Sequence, residues 1–229
     1  MKLLLINTNG HARDTEEIAA AARRYALPAT EILAVQPLHT PPNLTGYAAT
    51  ARAAEAVLDL VHAHGGGADA AVIACLEDPG LYAAREAIAA PVCGIAESAM
   101  LLASTLGHRF SVITTPARYR PITTDQVQLY GLDRRCASVR TVDLPDPLPC
   151  DDVTLAALET EGRHALDDDD AEVLVLGCSR FSRFDKPLER ALGVPVLDGV
   201  ACAVKLAEAS VGYGLRTSKR RGFAAPEAG

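Results

Sequence analysis

Two cysteines occupy matching positions in the two halves of the sequence. Cys75 ends the apolar run "DAAVIAC", and Cys178 ends the run "EVLVLGC" 103 residues later. Two thiols that face each other across a substrate can remove a proton from one side of a carbon and return a proton to the other side. The pair therefore indicates a racemase or epimerase. No metal or organic cofactor is needed for this chemistry if an adjacent carbonyl takes up the carbanion charge.

Each of these cysteines alone is equally typical of a buried strand end, because free cysteine behaves as a small hydrophobic residue. Their matching places in two repeats favour the catalytic interpretation. No cysteine lies at metal-ligand spacing from another cysteine or histidine, so we expect no metal site and no cofactor. The remaining cysteines lack a counterpart in the other half and are interpreted as structural: Cys93, Cys136, Cys150 and Cys202.

The elements that would position the two thiols alternate along the chain. Apolar runs of strand length are followed by longer Ala-rich segments of helical pattern, which is typical of an α/β protein. Three features recur at nearly one spacing, since 107 residues separate Ile6 from Ile113, 103 separate Cys75 from Cys178, and 104 separate Pro91 from Pro195. The sequence predicts two pseudo-symmetric, doubly wound parallel-sheet lobes with a cleft between them. We assign residues 1–97 and 204–229 to the first lobe and 98–203 to the second.

Ligands of open parallel sheets bind at the carboxyl ends of the strands. Asn7, Cys75, Thr114 and Cys178 are all predicted at such ends. If the two lobes face each other, both thiols point into one cleft from opposite sides.

Helix starts are predicted close to both thiols. Asp78-Pro79 follows Cys75, and Lys186-Pro187 begins a short helix after Cys178. A helix N-terminus lowers a thiol pKa, and nearby arginines add positive charge beside the second cysteine. We therefore expect the thiolate to be favoured at both positions.

Two further helices are predicted in the first half. Asp14 and Glu17 resemble a capping box, which places a helix start just after the loop "NTNGH". His11 in this loop is interpreted either as a substrate contact or as a loop residue. A second helix is expected from Tyr47 to His64, ended by "GGG".

The chain resembles the aspartate/glutamate/hydantoin racemase superfamily, most closely its hydantoin and allantoin racemase branch. The resemblance rests on "IACLEDPGL", "PVCGIAESAM", "FSVITT", "AEVLVLGC" and "GVPVLDGVACAVKLAE", and it covers nearly the whole chain. It implies that Cys75 and Cys178 are the two catalytic cysteines. Residues of these motifs, of the first loop and of the segment after Cys178 are predicted as substrate contacts: Asn7, Asn9, Leu76, Glu77, Thr114, Thr115, Ser179 and Arg180.

The chain departs from this branch at three places in the expected pocket. The first loop reads "NTNGH" where the branch has Asn-Pro-Asn-Thr, Glu77 stands where it has Gly, and "SRF" follows Cys178 where it has Ala-Gly-Met. These changes bear on the substrate more than on the chemistry. The planar fork of Arg180 can hold a carboxylate, but the same residue is also interpreted as solvent-facing or as paired with Glu77.

Charge and composition exclude several kinds of partner. The net charge of −7 and the absence of a long basic stretch argue against nucleic-acid binding. The weakly charged segment from Ala87 to Gly107 is interrupted by Pro91 and Glu97, so we expect no membrane span. The opening apolar run is far shorter than that of a signal peptide, and the composition is not disulfide-dense. We expect a cytoplasmic homo-oligomer that acts on a small molecule.

Other functions remain as alternatives. The same superfamily includes amino-acid racemases, a cis-trans isomerase of a dicarboxylate and a decarboxylase with a single cysteine, which the presence of both thiols disfavours. A non-catalytic ligand-binding homologue is a further alternative, since a fold does not fix a function. A redox pair would require a Cα separation under about 7 Å, which a cleft that admits substrate exceeds.

Overall fold

A computed structural model describes residues 1–38, 40, 46–145 and 151–224. Strands and helices alternate along the chain as the apolar pattern predicts. The elements of the first half are β1 (Lys2–Ile6), α1 (Ala12–Tyr25), β2 (Glu31–Val35), α2 (Tyr47–His64), β3 (Ala70–Ile73), α3 (Leu81–Ala87), β4 (Val92–Gly94) and α4 (Ile95–Leu106). Those of the second half are β5 (Phe110–Thr114), α5 (Tyr119–Leu129), β6 (Cys136–Thr141), α6 (Asp151–Asp167), β7 (Val173–Gly177), α7 (Asp185–Leu192), β8 (Val196–Asp198) and α8 (Gly199–Tyr213).

The strands form two parallel sheets with the same topology. Their orders are β2-β1-β3-β4 and β6-β5-β7-β8. In each sheet the chain order reverses between the two central strands, β1 and β3 in one and β5 and β7 in the other. Such a reversal opens a crevice at the carboxyl ends of those strands. The prediction of an α/β fold with two similar parallel-sheet lobes is confirmed.

The central strands are buried on both faces, which explains their largely apolar sequences. Leu3 and Leu5 of β1 pack with α1 and α8, whereas Leu4 and Ile6 pack with α2 and α3 on the opposite face. Parallel strands covered by helices on both sides favour such continuous apolar sequences over an alternating pattern. The sheets therefore form firm supports for the loops at their carboxyl ends.

Two helices cross between the sheets. α8 follows the second sheet but packs on the core of the first, through Val200, Ala203, Val204 and Ala207. α4 follows the first sheet but packs on β5 and β7 of the second, through Ala96, Ala99, Met100 and Ala103. The predicted boundaries at residues 97/98 and 203/204 fall inside these two helices, and the exact division of the chain into lobes stays a prediction. No helix in the described ranges is both long and apolar enough to cross a membrane.

The start of α1 directly after the first loop is confirmed, but its predicted capping box and the predicted start of α3 are wrong. α1 begins at Ala12, so Asp14 lies inside its first turn and hydrogen bonds to Asn9 and His11 instead of capping the helix. α3 begins at Leu81 rather than at Asp78-Pro79, after a left-handed Gly80 with a φ of 74°. By contrast, the predicted helix from Tyr47 to His64 is confirmed.

The carboxylate of Asp78 caps α4 instead of α3. It accepts hydrogen bonds from the backbone N–H groups of Ala96 at 3.2 Å and Glu97 at 2.9 Å, and from the Tyr130 hydroxyl at 2.7 Å. It occupies the space beside Gly94, where an added Cβ would lie 2.2 Å from the Asp78 Cγ. A helix N-terminus leaves its first N–H groups without partners in the helix, so this buried carboxylate satisfies two of them.

Gly94→Ala should destabilise the protein through this contact. Gly94 has an ordinary extended backbone, so the new methyl group acts by displacing the Asp78 carboxylate from the α4 amides. We expect the free energy of unfolding, measured by urea denaturation, to fall by about 1–3 kcal/mol, the usual penalty for unsatisfied buried polar groups. Gly66→Ala is the matched control, because a Cβ there meets no atom within 4 Å. Equal stability of the two variants would contradict this role of Asp78.

Candidate active site

Both predicted thiols lie at the carboxyl edge of a sheet. Cys75 is the second residue after β3, and Cys178 directly follows β7, where it precedes a short 3-10 turn at Ser179–Phe181. Both cysteines are half-buried. Each therefore sits beside the crevice where the strand order of its sheet reverses.

The first loop is held together by its own polar side chains. The side-chain amide of Asn7 donates to Asn9 Oδ1 at 2.9 Å and to Thr15 Oγ1 at 2.8 Å, and that of Asn9 donates to Asp14 Oδ2 at 3.0 Å. His11 ends the loop, and its Nδ1 lies 3.0 Å from Asp14 Oδ1. These contacts give Asn7 a loop-forming role; its contact with substrate, like that of Asn9, stays a prediction.

Thr114 has the corresponding place in the second sheet. Its hydroxyl donates to the backbone carbonyl of Gly177 at 2.7 Å, which ties the end of β5 to the residue before Cys178. Thr114 and Thr115 are both buried. Thr114 thus fixes the strand end that carries the second thiol, and a substrate contact by either threonine stays a prediction.

The residues that follow the two cysteines differ in burial. The Leu76 side chain packs in the core with α4, and its carbonyl accepts a hydrogen bond from Gln126 at 2.9 Å. Ser179 is half-buried, and its carbonyl accepts a hydrogen bond from Ser182 at 2.7 Å. The predicted substrate contacts of Leu76 and Ser179 stay predictions.

Cys75 is surrounded by hydrogen-bonding partners. Its thiol donates to Glu77 Oε2 at 2.8 Å, and the Thr8 hydroxyl hydrogen bonds to the sulfur. Glu77 in turn accepts a hydrogen bond from the Tyr119 hydroxyl. Burial raises the pKa of the Cys75 thiol well above its usual value, and the negative charge of Glu77 raises it further. Burial also raises the pKa of Glu77, against the effect of its hydrogen bonds to Cys75 and Tyr119.

Cys178 has a partner of opposite charge. Burial raises the pKa of its thiol, while the Arg180 guanidinium lowers it by its charge and by a hydrogen bond. The backbone N–H of Arg180 also hydrogen bonds to the sulfur. Arg180 therefore faces the second thiol rather than lying free in solvent. Glu77 lies with Cys75 and Tyr119, and each thiol has a charged neighbour of its own.

The expectation that both thiol pKa values are lowered is wrong. Burial outweighs the other influences at both sulfurs. At Cys75 the expected helix start is displaced, because α3 begins only at Leu81. Positive charge at Cys178 comes from Arg180, as expected, but it offsets only part of the effect of burial.

The structure brings the two cysteines to one set of neighbours. The charge of Glu77 raises the pKa of both thiols. Burial raises the pKa of the Tyr119 phenol, and the charges of Glu77, Cys75 and Cys178 raise it further. Coulomb interactions weaken with distance and with solvent screening, so side chains that influence one another in this way lie in one cluster.

Sequence reasoning missed two members of this cluster. Thr8 and Tyr119 are both buried, and each follows the carboxyl end of a central strand, β1 or β5. That position is the signal by which both residues could have been found. In the part of the chain that the structure describes, no three or more His, Cys, Asp or Glu side chains gather as a metal-binding group.

The chain is similar to known proteins over almost its full length. The chain is 41% identical over 233 residues to a hydantoin racemase of Rhizobium meliloti, covering 99% of this chain and 95% of the relative. It is 39% identical to a hydantoin racemase of Pseudomonas sp. strain NS671, covering 99% and 92%. An allantoin racemase structure from Klebsiella pneumoniae superposes with a TM-score of 0.94 at 40% identity, covering 100% and 95%.

More distant structures share the fold alone. A glutamate racemase from Francisella tularensis superposes with a TM-score of 0.64 at 17% identity, covering 95% of this chain and 84% of that one.

The family model described as Asp/Glu/Hydantoin racemase matches residues 3–207. The chain therefore belongs to the Asp/Glu/hydantoin racemase family of isomerases.

Proposed function

We propose that the protein is a cofactor-independent racemase that acts on a hydantoin ring through Cys75 and Cys178. The supporting observation is that the two thiols stand at equivalent strand ends of two sheets and share Glu77 and Tyr119 as neighbours. A pair of monoprotic groups on opposite sides of one carbon is what inversion by proton transfer requires.

The reaction needs one half-site that accepts a proton and one that donates a proton at a time. In one direction the Cys178 thiolate takes the proton from the ring carbon next to a carbonyl, and the electron pair of the C–H bond moves toward the carbonyl oxygen. The Cys75 thiol then gives its proton to the opposite face, which forms the new C–H bond. The other enantiomer reverses the roles. Arg180 favours the thiolate at Cys178, whereas the charge of Glu77 disfavours it at Cys75.

The names of the relatives support the substrate class. Hydantoin racemases are similar in sequence over almost the full length, and an allantoin racemase is similar in structure over the full length. Allantoin is itself a substituted hydantoin, so both names describe the same ring. We therefore propose a 5-substituted hydantoin as substrate, with allantoin as one member of the class.

Arg180 supports a second candidate within this family. Its guanidinium lies beside Cys178 in the cluster, where a planar fork can hold a carboxylate through two hydrogen bonds. This position favours an amino-acid derivative that carries a carboxylate, such as an N-carbamoyl amino acid. A neutral hydantoin carries no carboxylate for this fork to hold.

Cys75→Ser and Cys178→Ser should each abolish most racemisation. A hydroxyl is a far weaker base than a thiolate, so we expect kcat/KM to fall by about 10²–10⁴-fold, the range of general acid–base catalysis. The measurements are loss of optical rotation and deuterium incorporation from heavy water, with 5-substituted hydantoins and allantoin. Cys136→Ser, at a half-buried thiol in β6, is the control that should keep full activity. Full activity in either single variant of the pair would rule out two-cysteine chemistry.

Alkylation by iodoacetamide should distinguish the two thiols by pH. Because Arg180 offsets part of the burial at Cys178 and Glu77 adds to it at Cys75, Cys178 should react at lower pH than Cys75. Substrate should slow the reaction at both sites and leave Cys136 unaffected. Mass spectrometry of each labelled cysteine checks the order. Protection of Cys136 without protection of the pair would contradict the assignment of the cleft.

Arg180→Gly should separate the two substrate candidates. If Arg180 binds a carboxylate, the variant should lose about 1.5–3 kcal/mol of binding for an acidic substrate, the range for hydrogen bonds to charged groups. The readout is the ratio of kcat/KM for an N-carbamoyl amino acid to that for a neutral hydantoin. An unchanged ratio would remove Arg180 as a specificity residue and favour the hydantoin.

A further inference from the structure

Glu77 has an unusual position for a carboxylate in a site that must form a thiolate. Its Oε2 accepts the hydrogen bond of the Cys75 thiol at 2.8 Å, and both residues are half-buried. Two negative charges at this separation oppose each other strongly, so the thiol and the carboxyl group titrate as a pair. A Cys75 thiolate beside an ionised Glu77 is therefore disfavoured, although the proposed reaction requires Cys75 to act as a base for one enantiomer.

We propose that Glu77 is a positioning residue for Cys75, which orients the thiol and takes its proton when the sulfur receives a proton from the substrate. The proposal rests on the two-cysteine racemisation proposed above. In that step the substrate C–H bond breaks and its proton goes to Cys75 Sγ, while the original S–H proton moves to Glu77 Oε2. In the reverse direction Glu77 returns its proton to the sulfur as the sulfur protonates the substrate. The pair never carries two negative charges.

The groups around the carboxylate are consistent with this transfer. From α5, the Tyr119 hydroxyl donates to Glu77, and from the first loop Thr8 hydrogen bonds to the sulfur. From the second sheet, Cys178 lies near enough for Glu77 to raise its thiol pKa, and Arg180 lies beside Cys178. Both members of the pair therefore have a further hydrogen-bond partner, Thr8 at the thiol and Tyr119 at the carboxylate.

The neighbouring acid has a different task. Asp78 is turned away from the thiol, and its carboxylate is bound to the amides of α4 and to Tyr130. Glu77 is thus the carboxylate that hydrogen bonds to Cys75. A carboxylate that only added negative charge at this point would hinder the reaction, since its charge raises the thiol pKa.

Glu77→Gln distinguishes proton transfer from a simple charge effect. If Glu77 takes the proton, the active wild-type enzyme holds two protons among Cys75, Glu77 and Cys178. The rise of kcat/KM on the acid side of its pH profile, called the acid limb here, then follows the pKa of the carboxyl group. In the variant that limb must follow a thiol and moves to higher pH. If Glu77 acts only by its charge, the variant has a lower thiol pKa at Cys75, and the limb moves to lower pH. The two explanations predict opposite shifts.

The experiment measures kcat/KM against pH for an optically pure 5-substituted hydantoin, with spontaneous racemisation subtracted. We expect Glu77→Gln to lose about 10²-fold at neutral pH, within the range of general acid–base catalysis, and to recover as the pH rises. Glu77→Asp keeps the carboxyl group at shorter reach and should retain the wild-type acid limb with reduced kcat/KM. Glu55→Gln, on the exposed side of α2, is the control that should match the wild type.

A second measurement does not depend on activity. Alkylation of Cys75 by iodoacetamide should shift to lower pH in Glu77→Gln, because the opposing charge is gone. The proposal is overturned if the acid limb of Glu77→Gln stays in place or moves to lower pH. It is also overturned if the acid limb of Glu77→Asp moves as that of Glu77→Gln does. Unchanged alkylation of Cys75 overturns it as well. Full activity of Cys75→Ser would instead overturn the two-cysteine reaction itself, so the two failures are distinguishable.

Discussion

Burial of the central strands on both faces is the constraint from which the rest of this structure follows. β1, β3, β5 and β7 are covered by helices on each side, so most of their side chains are apolar. Polar groups can then meet a ligand only where these strands end. Because the crossing helices α4 and α8 pack on the opposite sheets, the two carboxyl edges hold a fixed relation to each other. The positions of the two thiols relative to each other are therefore set by the packing of these helices and not by a direct contact between the sulfurs.

The two halves repeat in backbone but not in charge. Gly94 and Asp198 are the last residues of the equivalent edge strands β4 and β8. Asp198 caps α8 with its own carboxylate, while in the first half the carboxylate comes from Asp78 and fills the space beside Gly94. The two halves also differ at the thiols, where Cys75 contacts the acidic Glu77 and Cys178 contacts the basic Arg180. A repeated fold therefore supports two chemically different half-sites.

The sequence predicted the fold and the place of the thiols because both depend on local pattern. Apolar runs of strand length and their recurrence fix where Cys75 and Cys178 lie relative to the strand ends. Sequence reasoning missed Tyr119 because its contact with Glu77 joins residues from opposite halves of the chain. The predicted direction of the thiol pKa shifts was also wrong, since it depends on how deeply the folded chain buries each sulfur. The predicted start of α3 failed because Asp78 instead caps α4, a helix that begins seventeen residues later.

In the two-cysteine reaction that we propose, opposite charges at the two thiols are compatible with catalysis in both directions. Enantiomers have equal free energies, so kcat/KM must be the same for both at every pH, whatever charges the site carries. Unequal half-sites can change only the relative free energies of the two enzyme–substrate complexes. Here they favour the complex in which Cys178 is the base. Without a proton acceptor at Cys75, that preference would leave the reverse complex with two adjacent negative charges, and kcat in that direction would suffer. A carboxyl group that shares the proton of Cys75 removes this penalty. The acidic half-site can then work as a base without first forming a thiolate beside an anion.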